Sequence, residues 1–450
     1  MKKEWIQQVQ DAGIVGAGGA GFPTHVKLNA EADYLLVNGA ECEPLLRVDQ
    51  QLMERDAELL VRTLNKWVEA VGAKQGIFGL KEKYHGAIDA LERAVQDYPR
   101  IAVHAMPNVY PAGDEQFLVY ETVGKVVPEG GIPLQVGVIV VNVETLLNLA
   151  KAEDGIPVTD TFVTITGEVR NPGTYEVPVG MALPTLIEWA GGTSLNEYSV
   201  IDGGPMMGKL IEDPQGVYVK KASKGYIVLP KDHPRIIAKK KSLPQMLKDA
   251  KIACCHCNLC TDICPRYQLG HELHPAKLMR MASYQSLGDA KASLDEAYLC
   301  CECGLCEIAC IMNLQPWKLN ISLKDQLREM GIKNSHNKAP DKARNFKEYR
   351  NYPTHRLIGN LGLRAYDVPA PIRANPQAVS EVRIAFSQGI GAPALPLVAA
   401  GDHVTKGDLI AKIPEGKLGS NVHASISGKV VAIGPESVWI RKELQGGMNQ

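Results

Sequence analysis

The chain has 450 residues, of which 45% are hydrophobic and 22% are charged, and its formal net charge is −1 at pH 7. A length of this order predicts several globular domains, and the near-zero charge provides no basic field for a nucleic-acid partner. The longest apolar run, near residues 136–143, is too short to cross a bilayer, and the polar N-terminal residues hold no apolar signal segment, so we expect a cytoplasmic, non-membrane-spanning protein.

Residues 1–155 alternate between helical and strand patterns. A short amphipathic helix over residues 1–12 precedes a glycine-rich segment at 13–24. Later patterns predict strands at 34–37, 76–80, 101–105 and 137–141, and helices at 49–72, 84–97 and 144–150. This alternation predicts an α/β domain with a mostly parallel sheet.

Residues 156–230 have a different character. Strand patterns at 161–169 and 173–177 flank an Arg-Asn-Pro turn, and a helix at 183–190 precedes a strand at 199–202. The order strand, strand, helix, strand predicts a compact β-grasp domain.

Ten of the 11 cysteines fall into two short blocks within residues 231–320. Each block reads C-x2-C-x2-C-x3-C, the spacing of two-cluster bacterial ferredoxins, in which the fourth cysteine of each block binds the cluster of the other block. This rule predicts one [4Fe–4S] cluster on Cys254, Cys257, Cys260 and Cys310, and a second on Cys300, Cys303, Cys306 and Cys264.

Two other uses of these cysteines are less favoured. Disulfides would need an oxidising compartment, and a chain of this length has little need of such cross-links. Zinc sites use pairs of cysteines and need no third one at the same spacing. Cys255 and Cys301 do not fit the cluster spacing, so we predict that both are non-ligands, and Cys42 is interpreted as a small packed residue.

The last 130 residues contain two different segments. Residues 321–380 are rich in Lys, Arg, Asn and Pro and predict an extended connector without a core of its own. Residues 381–450 contain short strands and turns that look like a barrel-sandwich domain. Lys417 lies near the predicted hairpin tip, but it lacks the flanking residues of a prosthetic-group acceptor, so a structural role is favoured.

The glycine-rich segment contains Gly16, Gly18 and Gly21, which spell G-x-G-x-x-G. No apolar strand precedes it, and Pro23 stands where a phosphate-binding helix would begin, so the Rossmann context is missing. Backbone without side chains can still approach a phosphate or a flat ring, and its N–H groups can bind an anion. A tight turn between elements is the alternative.

A family resemblance rests on several motifs. The segment 16–24, Lys27 and the segment 38–44 are similar to the flavin- and NADH-binding subunit of respiratory complex I, and closer to the RnfC subunit of the Rnf electron-transport complex. The segments 110–115 and 142–145 fit the same family. With the barrel-sandwich domain last, the domain order resembles the cobalamin reductases of the propanediol-utilisation microcompartment.

The resemblance implies a multidomain α/β and α+β protein. It would comprise an FMN- and NADH-binding domain at 1–155, a β-grasp (SLBB) domain at 156–230, a double [4Fe–4S] ferredoxin-like helical module at 231–320, a connector at 321–380 and a barrel-sandwich domain at 381–450. It implies that Glu41 and Glu43 are catalytic residues near the flavin and the nicotinamide. The residues implied to bind the cofactor are Gly16, Gly18, Gly19, Gly21, Phe22, Lys27, Asn38, Tyr110, Gly113, Asp114, Glu115, Asn142 and Thr145.

The activity implied by the resemblance is a chain of electron transfers. NADH would reduce FMN, and two [4Fe–4S] clusters would pass single electrons to a corrinoid, cob(III)alamin or cob(II)alamin. The implied partners are cobalamin or a cobalamin-handling adenosyltransferase and the shell proteins of a bacterial microcompartment. Two alternatives are the NADH-entry subunit of an Rnf-like complex and a non-enzymatic electron relay.

Overall fold

The computed structural model describes residues 2–284 and 294–443. The first domain is built on a parallel sheet of four strands: β1 (Tyr34–Gly39), β2 (Gln75–Lys81), β3 (Ile101–Met106) and β5 (Val138–Asn142). Their order in the sheet is β3-β2-β1-β5. The short strand β4 (Val109–Tyr110) lies outside this sheet. Leu35 and Leu36 pack into hydrophobic clusters on opposite faces of this sheet, because successive side chains alternate along a strand. Helices cover both faces, as the burial of a parallel sheet requires.

The helices of the first domain differ from the prediction in two ways, because two of them lie where no helix was predicted and one predicted helix is divided into two. They are α1 (Lys2–Asp11), α2 (Thr24–Leu28), α3 (Val48–Arg55), α4 (Ala57–Ala70), α5 (His85–Ala94), α6 (Glu115–Val123) and α7 (Val143–Glu153). The single helix predicted at 49–72 is wrong, because the chain is divided into two helices at Asp56. The backbone of Asp56 leaves the helical region with φ −114° and ψ 23°, and its carboxylate pairs with Arg55.

The second domain is a five-stranded mixed sheet with one helix. Its elements are β6 (Asp160–Gly167), β7 (Gly173–Pro178), α8 (Leu183–Trp189), β8 (Tyr198–Asp202), β9 (Lys209–Ile211) and β10 (Gly225–Pro230). The strand order is β7-β6-β10-β8-β9, in which β6 and β10 run parallel and the other neighbours run antiparallel. A hairpin, a helix and a parallel central strand pair form the β-grasp arrangement that the sequence predicted.

Short helices carry the cysteine blocks. They are α9 (Pro234–Lys240), α10 (Leu243–Ala253), α11 (Leu259–Asp262), α12 (Pro265–Gln268), α13 (Pro275–Tyr284), α14 (Leu305–Ile308) and α15 (Pro316–Glu329). Met246, Leu278 and Leu323 belong to one buried cluster that joins α10, α13 and α15. The long helix α15 therefore closes the module around the cysteines.

The segment predicted as a connector contains regular structure and crosses the first domain. It includes α16 (Lys347–Arg350), β11 (Tyr352–Pro353) and α17 (Thr354–Asn360), and its first residues still belong to α15. β11 pairs antiparallel with β4. Gln51 donates to the carbonyl of Ala370 at 3.2 Å, which fixes the end of the segment to α3.

The last domain consists of two small sheets. Its strands are β12 (Glu381–Ala385), β13 (Leu395–Pro396), β14 (His403–Val404), β15 (Leu409–Lys412), β16 (Val422–His423), β17 (Gly428–Ile433) and β18 (Ser437–Arg441). The sheet orders are β12-β18-β17-β14 and β13-β15-β16. Within the described parts of the chain, no helix is both long and apolar enough to cross a membrane.

Candidate functional site

The first candidate site lies at the carboxyl ends of β1 and β5. These two strands are neighbours, and Asn38 and Asn142 stand side by side at their ends. From β1 the chain proceeds to β2 and β3 on one side, whereas β5 lies on the other side, so the strand order reverses here. Such a switch point opens a crevice between the loops that follow the two strands, and open α/β sheets bind ligands there.

The glycine-rich segment covers this crevice. The amide of Ala17 donates to Thr145 Oγ1 at 2.9 Å, which ties the segment to the start of α7. The backbone of Gly18 lies against the side chain of Asn142, and a β-carbon at Gly18 would stand 3.6 Å from it. Gly19 has φ +112° and faces open space, and Gly18, Gly19 and Ala20 are exposed. This exposed backbone, without bulky side chains, is suited to a flat ring or a phosphate.

The second half of the glycine-rich segment faces another domain. Gly21 has φ +64°, and a β-carbon there would lie 2.6 Å from the Cα of Gly389 in the last domain. The amide of Ile390 donates to the carbonyl of Gly21 at 3.0 Å. Phe22 closes the loop, because its carbonyl accepts from Gly16 at 2.8 Å. Gly21 therefore provides space for the barrel-sandwich domain to dock.

A lysine and two polar side chains complete the crevice. Lys27 Nζ donates to the carbonyl of Val140 at 2.9 Å and pairs with Glu115 at 3.1 Å. Both side chains of this pair are partly exposed, so Lys27 supplies a positive charge that an incoming anion can reach. Asn38 donates to the carbonyl of Gly113 at 2.8 Å and so holds the loop before α6 against the end of β1.

Cys42 is a packed thiol beside this loop. A β-carbon at Gly113 would lie 3.3 Å from its sulfur, so the loop and the thiol are in close contact. Burial raises the pKa of Cys42 to about 12. A thiol with such a pKa is fully protonated at neutral pH and is a poor nucleophile, which agrees with its interpretation as a packing residue.

Glu41 is engaged with the start of α3. Its two carboxylate oxygens accept from the amides of Val48 at 3.0 Å and Asp49 at 3.3 Å. Burial and the negative charge of Asp49 raise the pKa of Glu41 to about 8. Buried Lys81 donates to the carbonyl of Glu41 at 3.3 Å. A carboxyl group that is protonated at neutral pH therefore lies between the crevice and α3.

Glu43 connects the first domain to the β-grasp domain. Its carboxylate accepts from the amides of Met206 and Met207, both at 2.9 Å. Burial raises its pKa. The hydroxyl of Tyr110 lies 3.3 Å from Glu43 and donates to the carbonyl of Cys303 at 2.7 Å. Both predicted catalytic glutamates are thus held by backbone amides, and Tyr110 links Glu43 to the second cysteine block.

The eight cysteines of the two blocks form two groups, each composed of three residues of one block and the last residue of the other. One group surrounds a cavity and comprises Cys254, Cys257, Cys260 and Cys310. The other surrounds a second cavity and comprises Cys264, Cys300, Cys303 and Cys306.

The cysteine groups suit clusters better than single ions. In residues 2–284 and 294–443, no three His, Cys, Asp or Glu side chains converge closely enough for one metal ion. The thiols instead surround a space, as ligands at the corners of a cubane do. Cys255 lines the first cavity and Cys301 the second, as additional cysteines. The residues present fit two [4Fe–4S] clusters.

The structure adds charged residues that sequence reasoning missed. Arg266 of the cysteine module pairs with both carboxylate oxygens of Asp114, a residue predicted to bind the cofactor. Asp114 also caps the N-terminus of α6. Lys224 of the β-grasp domain pairs with Asp49 and Glu144 of the first domain. Glu144 lies inside the motif at 142–145, and Arg266 follows Cys264-Pro265, but no local pattern distinguishes Lys224.

Sequence models of four domain families match the chain. The Nuo51 FMN-binding domain matches residues 9–151, the SLBB domain 162–210, the 4Fe-4S dicluster domain 253–315 and the RnfC barrel sandwich hybrid domain 368–446. The chain therefore combines an FMN-binding domain with a dicluster domain. Together the fold and the site define an iron–sulfur flavoprotein.

Curated relatives cover nearly the whole chain. The chain is 42% identical to the cobalamin reductase PduS of Salmonella typhimurium over 437 residues, which is 96% of this chain and 95% of the relative. The PduS protein of Citrobacter freundii is 42% identical over 436 residues, again 96% and 95%. The C subunit of the Na⁺-translocating ferredoxin:NAD⁺ oxidoreductase complex of Acetobacterium woodii is 36% identical over 265 residues, 58% of this chain and 57% of that relative. The chain belongs to the PduS cobalamin reductase family.

Proposed function

We propose that the chain is an NADH-dependent corrinoid reductase. One NADH would reduce two one-electron acceptors, cob(III)alamin or cob(II)alamin, and release NAD⁺ and one proton. When bound, FMN supplies the conversion of a two-electron hydride donor to single electrons, which two [4Fe–4S] clusters carry. The names of the relatives and their match along 96% of the chain support this acceptor.

One observation carries the proposal. The hydroxyl of Tyr110, in β4 of the FMN-binding domain, donates to the carbonyl of Cys303 at 2.7 Å, and the two residues belong to one buried cluster. The FMN-binding domain and the cysteine group that contains Cys303 therefore share a packed interface. If the FMN-binding domain and the cysteine module acted independently, no contact between Tyr110 and Cys303 would be needed.

We propose the following roles for the residues around the crevice. Gly16, Gly18 and Gly19 admit the flavin ring and the nicotinamide, because no side chain stands in their way. Lys27 offers a positive charge to the phosphate. The remaining contacts to FMN are proposed for Phe22, Asn38, Tyr110, Gly113, Asp114, Glu115, Asn142 and Thr145, but not for Gly21, which packs against the last domain.

For Glu41 and Glu43 we propose positioning roles. Each carboxylate accepts hydrogen bonds from two backbone amides, and these bonds hold the segment between β1 and α3 in place at the border of the crevice. Glu41 also keeps a proton at neutral pH, since its pKa is raised to about 8. A neutral carboxyl avoids placing a negative charge beside the electron-rich reduced flavin and the phosphate.

Anaerobic addition of NADH to the purified protein, loaded with FMN and iron, tests the proposal. We expect loss of the visible flavin absorbance, followed by reduction of added cob(III)alamin. A flavin that stays oxidised would refute the enzyme and leave only an electron relay. Bleaching of the flavin without corrinoid reduction would favour a protein acceptor, as in an Rnf-like complex.

A matched pair of variants separates the two halves of the reaction. Cys257→Ala/Cys260→Ala should abolish corrinoid reduction while NADH still bleaches the flavin. Lys27→Met should weaken FMN binding while the iron content stays at the wild-type value. Equal loss of both steps in the cysteine variant would contradict a path through the clusters.

We further propose that a cobalamin-handling adenosyltransferase receives the reduced corrinoid and that the protein resides in a bacterial microcompartment with its shell proteins. The family membership supports both statements. Co-purification of the tagged protein with these partners from cells grown on 1,2-propanediol is the test. Recovery of the protein without shell proteins would argue against the compartment.

A further inference from the structure

The two cysteine groups have different surroundings. The group at Cys264, Cys300, Cys303 and Cys306 borders the FMN-binding and β-grasp domains. Tyr110 reaches the carbonyl of Cys303, and the side chain of Met206 lies against Gly304. Cys264, Cys303 and Cys306 are all buried. We call this the inner group.

The group at Cys254, Cys257, Cys260 and Cys310 lies at the surface, and we call it the outer group. Cys257 is exposed, and so is the neighbouring Cys255. Two large apolar residues that line the cavity, Ile311 and Met312, are 65% and 41% exposed. The cysteines of the outer group are thus more exposed than those of the inner group, which adjoins two domains.

A buried arginine lies between the inner group and the FMN-binding domain. Arg266 is 8% exposed and follows Cys264 by two residues. Its guanidinium contacts both carboxylate oxygens of Asp114, the residue that caps α6 at the edge of the crevice. The same buried side chain therefore joins the loop before α6 to the segment that carries Cys264.

We propose that electrons enter at the inner group and leave at the outer group, and that Arg266 is the positioning residue at the entry. The order of the two clusters rests on the proposed function. Bound reduced flavin would release two electrons and two protons in total, and a cluster held by the inner group would take the electrons one at a time, passing the first to a cluster on the outer group before it takes the second. The reduced cluster carries one more negative charge, so a buried cation beside it stabilises the reduced form.

The first test measures the role of Arg266 without NADH. In the background Cys257→Ala/Cys260→Ala, which retains only the inner cluster, Arg266→Gln should shift the midpoint potential to more negative values in an EPR-monitored titration with mediators. Arg266→Lys retains the charge and should restore most of the shift. Arg344→Gln is the control, because Arg344 is an arginine of the connector that pairs with Glu272 of the cysteine module.

The outcomes of this titration are distinct. An unchanged potential in Arg266→Gln at normal iron content would overturn the role of Arg266. If Arg266→Gln does not bind iron, Asp114→Asn is measured instead, because it removes the carboxylate that neutralises Arg266. That variant should shift the potential in the opposite direction, and a negative shift would also refute the role.

The second test measures the order of the clusters. With Cys303→Ala/Cys306→Ala, the outer cluster should be reducible by dithionite but should give no EPR signal on addition of NADH. With Cys257→Ala/Cys260→Ala, the inner cluster should still be reduced by NADH. The reverse pattern would overturn the order. If NADH fails to bleach the wild-type flavin, the proposed function fails instead, while the potential shift of the first test remains valid.

Discussion

Removal of the buried lysine between the first two domains tests how this enzyme holds its flavin domain. Lys224 Nζ lies 2.8 Å from Asp49 and 2.7 Å from Glu144, and the side chains are 9%, 5% and 2% exposed. Lys224→Met fills the space but leaves two carboxylates without their cation. Breaking a buried ion pair on one side costs about 3–5 kcal/mol, and we expect a loss of this size in the free energy of unfolding.

The pH dependence of this loss follows from the same contacts. Without Lys224, two carboxylates face each other in a buried site, and binding a proton relieves their repulsion in the folded variant but not in the unfolded chain. The folded variant therefore binds more protons than the unfolded chain, so its stability decreases as the pH rises. We therefore expect a larger deficit relative to the wild type at pH 8 than at pH 5.

Urea unfolding followed by tryptophan fluorescence measures the effect, in a variant that keeps Trp67, buried in the first domain, and has the other four tryptophans replaced by Phe. Lys231→Met is the matched control, since Lys231 pairs with Glu197 at the surface of the same β-grasp domain and should cost less than about 1 kcal/mol. Adding Glu144→Gln to Lys224→Met should recover part of the loss. A midpoint equal to that of the control would refute the reasoning.

Three further predictions concern single side chains. His423 is buried, and its pKa is lowered to about 3, so the free energy of unfolding decreases as the pH falls from about 6.5 towards 3. His423→Gln cannot take up this proton. Its free energy of unfolding, measured by thermal unfolding, should therefore fall by about 2 kcal/mol less than that of the wild type between pH 7 and pH 5. Tyr110→Phe leaves the buried carbonyl of Cys303 without its donor and should lower the free energy of unfolding by about 1–3 kcal/mol in urea; an unchanged value would show that the hydrogen bond contributes nothing. Gly21→Ala places a β-carbon against Gly389 at a positive φ and should speed proteolysis of the last domain, whereas unchanged proteolysis would contradict the docking contact.

Local features of the chain were predictable because their causes are local. The C-x2-C-x2-C-x3-C spacing follows from the way one loop wraps a cluster, so the grouping of the cysteines was expected before any fold was known. The period of the apolar residues predicted the parallel sheet and the β-grasp domain. The prediction failed at Asp56, where an otherwise continuous helical pattern is divided by one backbone conformation.

Only the tertiary structure decided how the domains meet. Arg266 and Asp114 are 152 residues apart, and Lys224 and Asp49 are 175 apart, so no local pattern links them. The glycine-rich segment looked like one ligand loop, yet Gly18 lies against Asn142 and Gly21 against the last domain. The sequence alone determined which cofactors the domains suit, because ligand spacing and backbone freedom are properties of short segments. The three-dimensional fold determined which cysteine group faces the flavin domain, because that depends on packing between distant parts of the chain.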